Sequence, residues 1–325
     1  MNIAITGASG HIGVNLAHML HSRGHGLRVL IHRDEKGLES LPLEKVYGRM
    51  DDPHAIHDLV SGCDLVFHLA AVISIRKRTR GRNDDPNIAG TQTLLNVLRG
   101  RKNIRLVHCS SVHALNQDPH HTPLDESRPL ALSVNSWYSR SKAMCEKMVM
   151  EAVAKGCDAL IINPTSILGP ADYRPSLIGR FLIDLYRGHL PFLVPGGYNF
   201  IDVRDVIEGA WLAAQNGRTG ERYLLSGSWR SLHEFSRIVK TIEGNACRVM
   251  MVPFWLANAG LPFVQACGWL KGRPSLYTRE SLDIVKTSHR NVTSQKAISE
   301  LGFHARSFEI TVRDSIEWFR NNHYI

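Results

Sequence analysis

The first thirteen residues, MNIAITGASGHIG, limit the fold more tightly than any other stretch. Asn2 to Thr6 is an apolar strand, Gly7, Gly10 and Gly13 follow at three-residue spacing, and Ile12 to Leu20 then carries the apolar period of a helix. Strand, glycine turn and helix in that order form a phosphate-binding element. Missing Cβ atoms admit a pyrophosphate to the backbone, and free N–H groups at the helix start attract it. Glycines also serve plain tight turns, so a structural turn is the competing reading. Position favours the dinucleotide, because the run follows a strand and opens a helix.

Gly24 to Gly26 ends the first helix, and Leu27 to Ile31 gives a second strand. NAD-binding units close this strand with an acid that hydrogen-bonds the ribose 2′-hydroxyl. Ile31 stands there instead, followed by His32 and Arg33. A cation suits the extra 2′-phosphate of NADP, while Asp34 keeps NAD open as the alternative. Further strands end at Tyr47 and cover Leu65 to Leu69 and Ile104 to His108; helices start near Pro53 and cover Ile88 to Leu98 and Trp137 to Val149. This alternation predicts the α/β class, a Rossmann doubly wound parallel sheet with ligands at the carboxyl ends of its strands. Leu69, Ala70 and Ala71 would bring backbone close to the cofactor there.

The same rule selects Cys109-Ser110-Ser111 at the end of the fifth strand. A strand-end serine often does no more than satisfy turn backbone groups, but the next helix carries Tyr138 and Lys142 at i and i+4, hence on one face. An ammonium beside a phenol favours its ionised form. A phenol so tuned can give a proton to a carbonyl oxygen as hydride arrives, or remove it in reverse. The spacing alone is frequent by chance; the glycine turn and the serine in the right order tip it towards catalysis.

The chain resembles the extended short-chain dehydrogenases/reductases, the NAD-dependent epimerase/dehydratase superfamily that includes dihydroflavonol reductases, 3β-hydroxysteroid dehydrogenases and nucleotide-sugar epimerases. The matching pieces run in family order: Thr6 to Gly13, Val66 to Ala71, Asn87 to Thr91, Ser110-Ser111, Tyr138 to Lys142, Pro164 to Pro170 and Phe200 to Val206. The resemblance implies that Tyr138 is the acid/base, that Lys142 tunes it and holds the nicotinamide ribose, and that Ser111 hydrogen-bonds the substrate carbonyl. It implies that Gly7, Ala8, Ser9, Gly10, His11, Ile12 and Gly13 carry the pyrophosphate, that Pro164 and Ser166 also face the cofactor, and that Asn87 supports the sheet and its proton path. It implies a homodimer through the helices of the Ile88 and Tyr138 segments. Domains are expected at 1–169 with 198–227 for the cofactor, and at 170–197 with 228–325 for the substrate; the second is smaller and mostly helical.

Departures narrow the chemistry. Val112-His113 stand where sugar-nucleotide dehydratases carry an acidic pair, and Tyr198-Asn199 where epimerases grip a diphosphate with arginine. Arg49 occupies a slot that is often acidic near the adenine, and Asn163 replaces the arginine that often precedes Pro164. An NADP-preferring reductase or dehydrogenase of a small-molecule ketone, aldehyde or secondary alcohol fits best. A nucleotide-sugar epimerase with recycled NAD and a dinucleotide sensor without turnover are the alternatives.

Composition bounds the rest. At 325 residues with 43% hydrophobic and 21% charged side chains, the chain suits an ordinary globular protein. The six cysteines show no C-x-x-C pair, so reduced thiols in the cytoplasm and no metal site are expected, and no leader is expected ahead of the first strand. The net charge of +9 is partly concentrated in Arg76, Lys77, Arg78, Arg80 and Arg82, read as a solvated loop or an anion-facing patch. No nucleic-acid motif accompanies it. Val249 to Leu270 contains no charge, yet Pro253, Gly260, Pro262 and Gly268 break the pattern. Buried or pocket-lining helices are therefore expected, not an integral membrane span. If Phe254, Trp255, Phe263 and Trp269 line the cleft or touch a membrane surface peripherally, the substrate is bulky and apolar.

Overall fold

A strand buried on both faces needs helices above and below it, and this chain supplies them by alternation. The computed structural model describes residues 1–72, 85–190, 192–244, 249–270 and 278–325; the basic run Arg76 to Arg82 lies outside them. The first half holds β1 (Asn2–Thr6), α1 (His11–Ser22), β2 (Gly26–Ile31), β3 (Glu44–Tyr47), α2 (Pro53–Val60), β4 (Leu65–His68), α3 (Pro86–Leu98), β5 (Arg105–Cys109), α4 (Trp137–Val153) and β6 (Ala159–Pro164). Then come β7 (Ser166–Leu168), α5 (Leu177–Tyr186), β8 (Phe192–Leu193), β9 (Gly197–Asp202), α6 (Val203–Asn216), β10 (Arg222–Leu225), β11 (Ser228–Ser231) and α7 (Leu232–Glu243). The described chain closes with β12 (Met250–Met251), α8 (Phe254–Leu270), α9 (Arg279–Thr287), α10 (Gln295–Leu301) and α11 (Phe308–Asn321).

Seven of the strands pair in the order β3-β2-β1-β4-β5-β6-β10, every pairing parallel. This is the doubly wound sheet expected from the alternation. Its register sets which residues stand side by side: Thr6 lies opposite His68, and His68 opposite His108. The glycine turn after Thr6, the Leu69-Ala70 segment and Cys109-Ser110-Ser111 therefore emerge together at one edge. Helix starts are fixed locally. Asp52 and Asp85 cap α2 and α3 by accepting from the N–H groups of the first turn, each with proline at the first helical position.

One core packs α1 and α6 against the sheet through residues such as Ile3, Leu16, Phe67, Val107, Ile162 and Ala210. Each large side chain among them contributes about 1.5–3 kcal/mol relative to exposure. Ala297, Leu301 and Phe303 join it, so α10 returns to the parallel sheet after the chain has left it. A second core gathers around β9. Phe200 stacks on Phe308 with centroids 4.7 Å apart, and Phe235 stands edge-on to both.

The charge-free segment departs from expectation. Pro262 does not break it: Phe254–Leu270 is one helix with the proline inside. Ala257 and Leu261, buried in the second core, hold the stretch before the proline and offset its lost hydrogen bond. Trp255 and Phe263 face away from that core, 71% and 77% exposed. No helix among the described residues is long and apolar enough to cross a membrane.

Candidate active site

The glycine turn is built as a cradle. Gly7 has φ of +72°, and a Cβ there would come within 2.6 Å of the Ala70 backbone nitrogen. A Cβ on Gly13 would run into the Gly7 carbonyl. Glycine is thus required at both, by the approach of β4 to the turn and of the helix to its own entry. No side chain caps the start of α1 and no acid sits in its first turn, so its N–H groups are left for an anion. Ala8 is buried in the first core and offers only backbone. Ser9 and Gly10 line the turn, and Ile12 packs on the core. His11 Nε2 lies 3.0 Å from the Pro170 carbonyl, to which Asn15 also donates, and this ties α1 to the loop after β7. Ser166 in β7 and Pro164 at the end of β6 reach the same edge. The residues present fit a dinucleotide diphosphate.

Beyond β2, Ile31 ends the strand, and His32 and Arg33 are exposed. Among the described residues Arg33 enters no ion pair. Asp34, the residue that kept NAD open, is occupied: it accepts from the Lys36 N–H at 2.9 Å and pairs with Arg174. The Lys36 N–H and then Arg174 hold its carboxyl below the usual range. Arg49 forms a two-pronged pair with Asp51 at 2.8 and 3.0 Å.

The other side of the edge collects the serine, tyrosine and lysine. Asp85, the cap of α3, accepts from the Trp137 indole at 2.7 Å, and this fixes the start of α4 beside α3. Lys142, 4% exposed, donates to the Cys109 carbonyl at 3.0 Å. Two residues on, Ser111 caps a 3-10 turn, Val112–Ala114, by accepting from the His113 N–H at 3.2 Å. The capping role leaves the hydroxyl proton of Ser111 free to donate. His113 stands edge-on to Tyr138 with ring centroids 6.5 Å apart. Burial pushes its imidazole down to about 4, so it is neutral at neutral pH. Tyr138, Lys142 and Ser111 thus meet around one turn, and the Tyr138 hydroxyl finds no hydrogen-bond partner among the described residues. Asn87 clasps Val72, accepting from its N–H at 2.7 Å and donating to its carbonyl at 3.1 Å, which anchors the segment that carries Ala70 and Ala71.

Beneath this surface lie groups the sequence did not disclose. Thr6 Oγ1 and His68 Nδ1 are 2.7 Å apart, and His68 Nε2 lies 3.2 Å from Thr91 Oγ1. Burial, with Lys142 adding to it, pushes His68 down to about 3. His108 sits 5.2 Å from His68, ring to ring, with neither nitrogen bonded; burial chiefly, then His68 and Lys142, drive it well below the ordinary imidazole value. Glu146, one turn beyond Lys142, is fully buried against Arg222 at 3.0 Å and accepts from Asn163, which also donates to the Ser111 carbonyl at 3.0 Å. Burial pushes the Glu146 carboxyl up against the pull of Ser110, Arg222 and Asn163. Arg222 is therefore the cation beside this buried carboxylate.

Comparison with known proteins agrees with this architecture. The family described as "NAD dependent epimerase/dehydratase family" matches residues 3–226. "Sterol demethylase protein B" of Methylococcus capsulatus is 31% identical over 98% of this chain and 98% of its own. The "4-hydroxy-2-methyl-3-oxo-4-farnesyl-3,4-dihydroquinoline-1-oxide ketoreductase" of Stigmatella aurantiaca is 30% identical over 80% of this chain and 78% of its own. The solved structure of gox2253 superposes with a TM-score of 0.83 at 30% identity, covering 100% of this chain and 99% of that one.

Proposed function

The chain belongs to the NAD dependent epimerase/dehydratase family, and we propose that within it this protein is an NADP-preferring oxidoreductase of a bulky, apolar ketone or secondary alcohol. The observation that carries the reading is the meeting of Tyr138, Lys142 and Ser111 around the turn after β5, beside the glycine cradle. When bound, the nicotinamide supplies or accepts the hydride. Ser111 hydrogen-bonds the substrate oxygen through its hydroxyl and keeps its own proton, while Tyr138 delivers the one proton that turns that oxygen into a hydroxyl, or removes it in reverse. Lys142, fixed by its bond to the Cys109 carbonyl, holds the ribose. His113 stays neutral and borders the substrate without adding charge, which suits an apolar ligand. Substrate selection is assigned to the second core and the elements packed on it. The names of the two relatives, one referring to a sterol and one to a farnesylated quinoline oxide, support the apolar class.

NADP is preferred because Asp34 is engaged with Arg174 while Arg33 is exposed and outside any ion pair among the described residues. Replacing Arg33 with Ala should weaken NADPH about tenfold to a hundredfold, the worth of one charge-assisted phosphate contact, and change NADH by about twofold or less. Equal losses would remove the argument. The deciding experiment titrates the purified protein with both cofactors and follows NADPH absorbance across a panel of ketones. Consumption on apolar ketones supports the reductase. Tight binding without net consumption points to an epimerase or a sensor.

We further propose a homodimer through α3 and α4; on α4, Trp137, Met144 and Met148, with Leu132 ahead of the helix, line an outward groove of about 500 Å³ that Arg140, Lys147 and Glu151 also border. Light scattering at twice the chain mass is the expected result. The free thiols of Cys63, Cys109, Cys145 and Cys157 fit a reducing compartment, the cytoplasm.

A further inference from the structure

Helix α1 does more than open the cofactor cradle. Its residues His11, Asn15 and His18 share one face by helical spacing, and that face is the floor under two loops. His11 Nε2 and Asn15 Nδ2 lie 3.0 and 3.2 Å from the Pro170 carbonyl in the loop after β7, and His18 Nε2 lies 2.8 Å from the Gly37 carbonyl in the loop after β2. The two loops therefore run side by side. The Tyr173 ring rests on Gly37, where a Cβ would come within 2.5 Å of it. Tyr324 locks this contact, donating to the Tyr173 carbonyl at 2.7 Å and accepting from Lys36 Nζ at 2.9 Å. Trp318 stands edge-on to the Tyr173 ring with centroids 5.0 Å apart. Arg174 is the next residue, and its guanidinium is thus brought to Asp34 by a built contact between loops.

This pair sets the charge that the β2 loop shows to a ligand. Asp34 follows Arg33 directly. Unpaired, its carboxylate would cancel the Arg33 guanidinium, repel a phosphate and offer an acceptor to a ribose hydroxyl. The other acids of residues 32–39 are engaged as well, Glu35 with Lys45 and Tyr47, and Glu39 with the Gly37 N–H. Arg33, which enters no ion pair among the described residues, keeps its charge uncancelled. We propose that Arg174 is a specificity residue for the cofactor: by occupying Asp34 from the loop after β7, it opens the β2 loop to a 2′-phosphate and withholds from NAD the acid it would use. This rests on the NADP reading above and adds the residue that sets the preference, one contributed by a segment outside the strand-turn-helix units that bind the dinucleotide.

The test is fluorescence titration of NADPH and NADH, at one ionic strength, on the wild type, Arg174→Ala, Asp34→Asn and the double variant that carries both. Arg174→Ala should lower the preference for NADPH over NADH at least about tenfold, with NADPH weakened and NADH unchanged or tighter. In the Asp34→Asn background the same substitution should move the preference by about twofold or less, because the acid to be masked is gone. Arg174→Lys keeps the cation and should keep the preference. The Arg174 side chain is exposed, so these variants fold, and an unchanged melting temperature checks it. An unchanged preference in Arg174→Ala overturns the proposal. So does parallel weakening of both cofactors, which would make Arg174 a structural clasp, or an equal fall in preference in both backgrounds, which would make it a direct phosphate ligand. A wild type that binds NADH more tightly than NADPH removes the NADP reading and this proposal with it, whereas failure of the proposal alone shows only in the variants.

Discussion

Replacing Tyr138 with Phe should lower kcat by a factor on the order of 10² to 10⁴, the usual worth of a positioned general acid. The same variant should bind NADPH within about twofold of the wild type and melt at an unchanged temperature. The Tyr138 ring packs near His113, and phenylalanine keeps that contact. The hydroxyl bonds nothing among the described residues, so removing it leaves no buried group unsatisfied and costs the fold little. On the proposed reading, what is removed is the proton donor at the substrate oxygen. Stopped-flow measurement of hydride transfer separates this step from cofactor release. Retained turnover would sink the assignment of the acid to Tyr138. Lost cofactor affinity would make the residue a binding element instead.

The parts of the fold and site legible in the sequence are those that local chemistry writes. The Ala70 backbone that crowds Gly7 arrives from β4, but Gly13 is demanded by contacts within one strand-turn-helix unit, and Tyr138 with Lys142 share a face by helical geometry alone; these last two can be read from neighbouring letters. The groups beneath the site cannot. His68 meets His108 only because β4 lies parallel to β5 in one register, and a one-residue slip would send the two rings to opposite faces. Glu146 finds Arg222 across 76 positions of sequence, a pairing that depends on β10 joining the sheet beside β6. In the sequence His113 stands out only for not being an acid, and its place against Tyr138 comes from the 3-10 turn that Ser111 caps. Pro262 misleads for a physical reason. The helix penalty of proline is local, whereas the burial of Ala257 and Leu261 that offsets it comes from a core assembled by β9, α7 and α11.

The parallel register that hides the histidines also makes them an acid weakness. His68 and His108 are buried without charge, the first pushed down to about 3 and the second well below its ordinary value. An unfolded imidazole takes up a proton near pH ~6.5, whereas these two take one up in the fold only at far lower pH. The unfolded chain therefore binds more protons throughout the window between, and stability present above pH ~6.5 is lost as pH falls through it. For His68 the loss at pH 5 is about 2 kcal/mol, a large part of a typical total of about 5–15 kcal/mol, and His108 adds a loss of the same sign. Glu126, Glu146 and Asp205 act in the opposite sense, since burial raises their carboxyls and the fold gains a proton first. A single substitution isolates the histidine contribution from theirs. His108 bonds through neither ring nitrogen, so His108→Leu removes an unpaired buried polar group of similar size, and at pH 7.5 it should equal or exceed the wild type in urea unfolding. At pH 5 it should exceed the wild type by a wider margin than at pH 7.5, because the wild type alone loses stability as the unfolded imidazole takes up its proton. Parallel curves for the two proteins from pH 7.5 to 5 would mean that His108 takes up its proton in the fold as readily as in the unfolded chain, and that the pair under the site is hydrated.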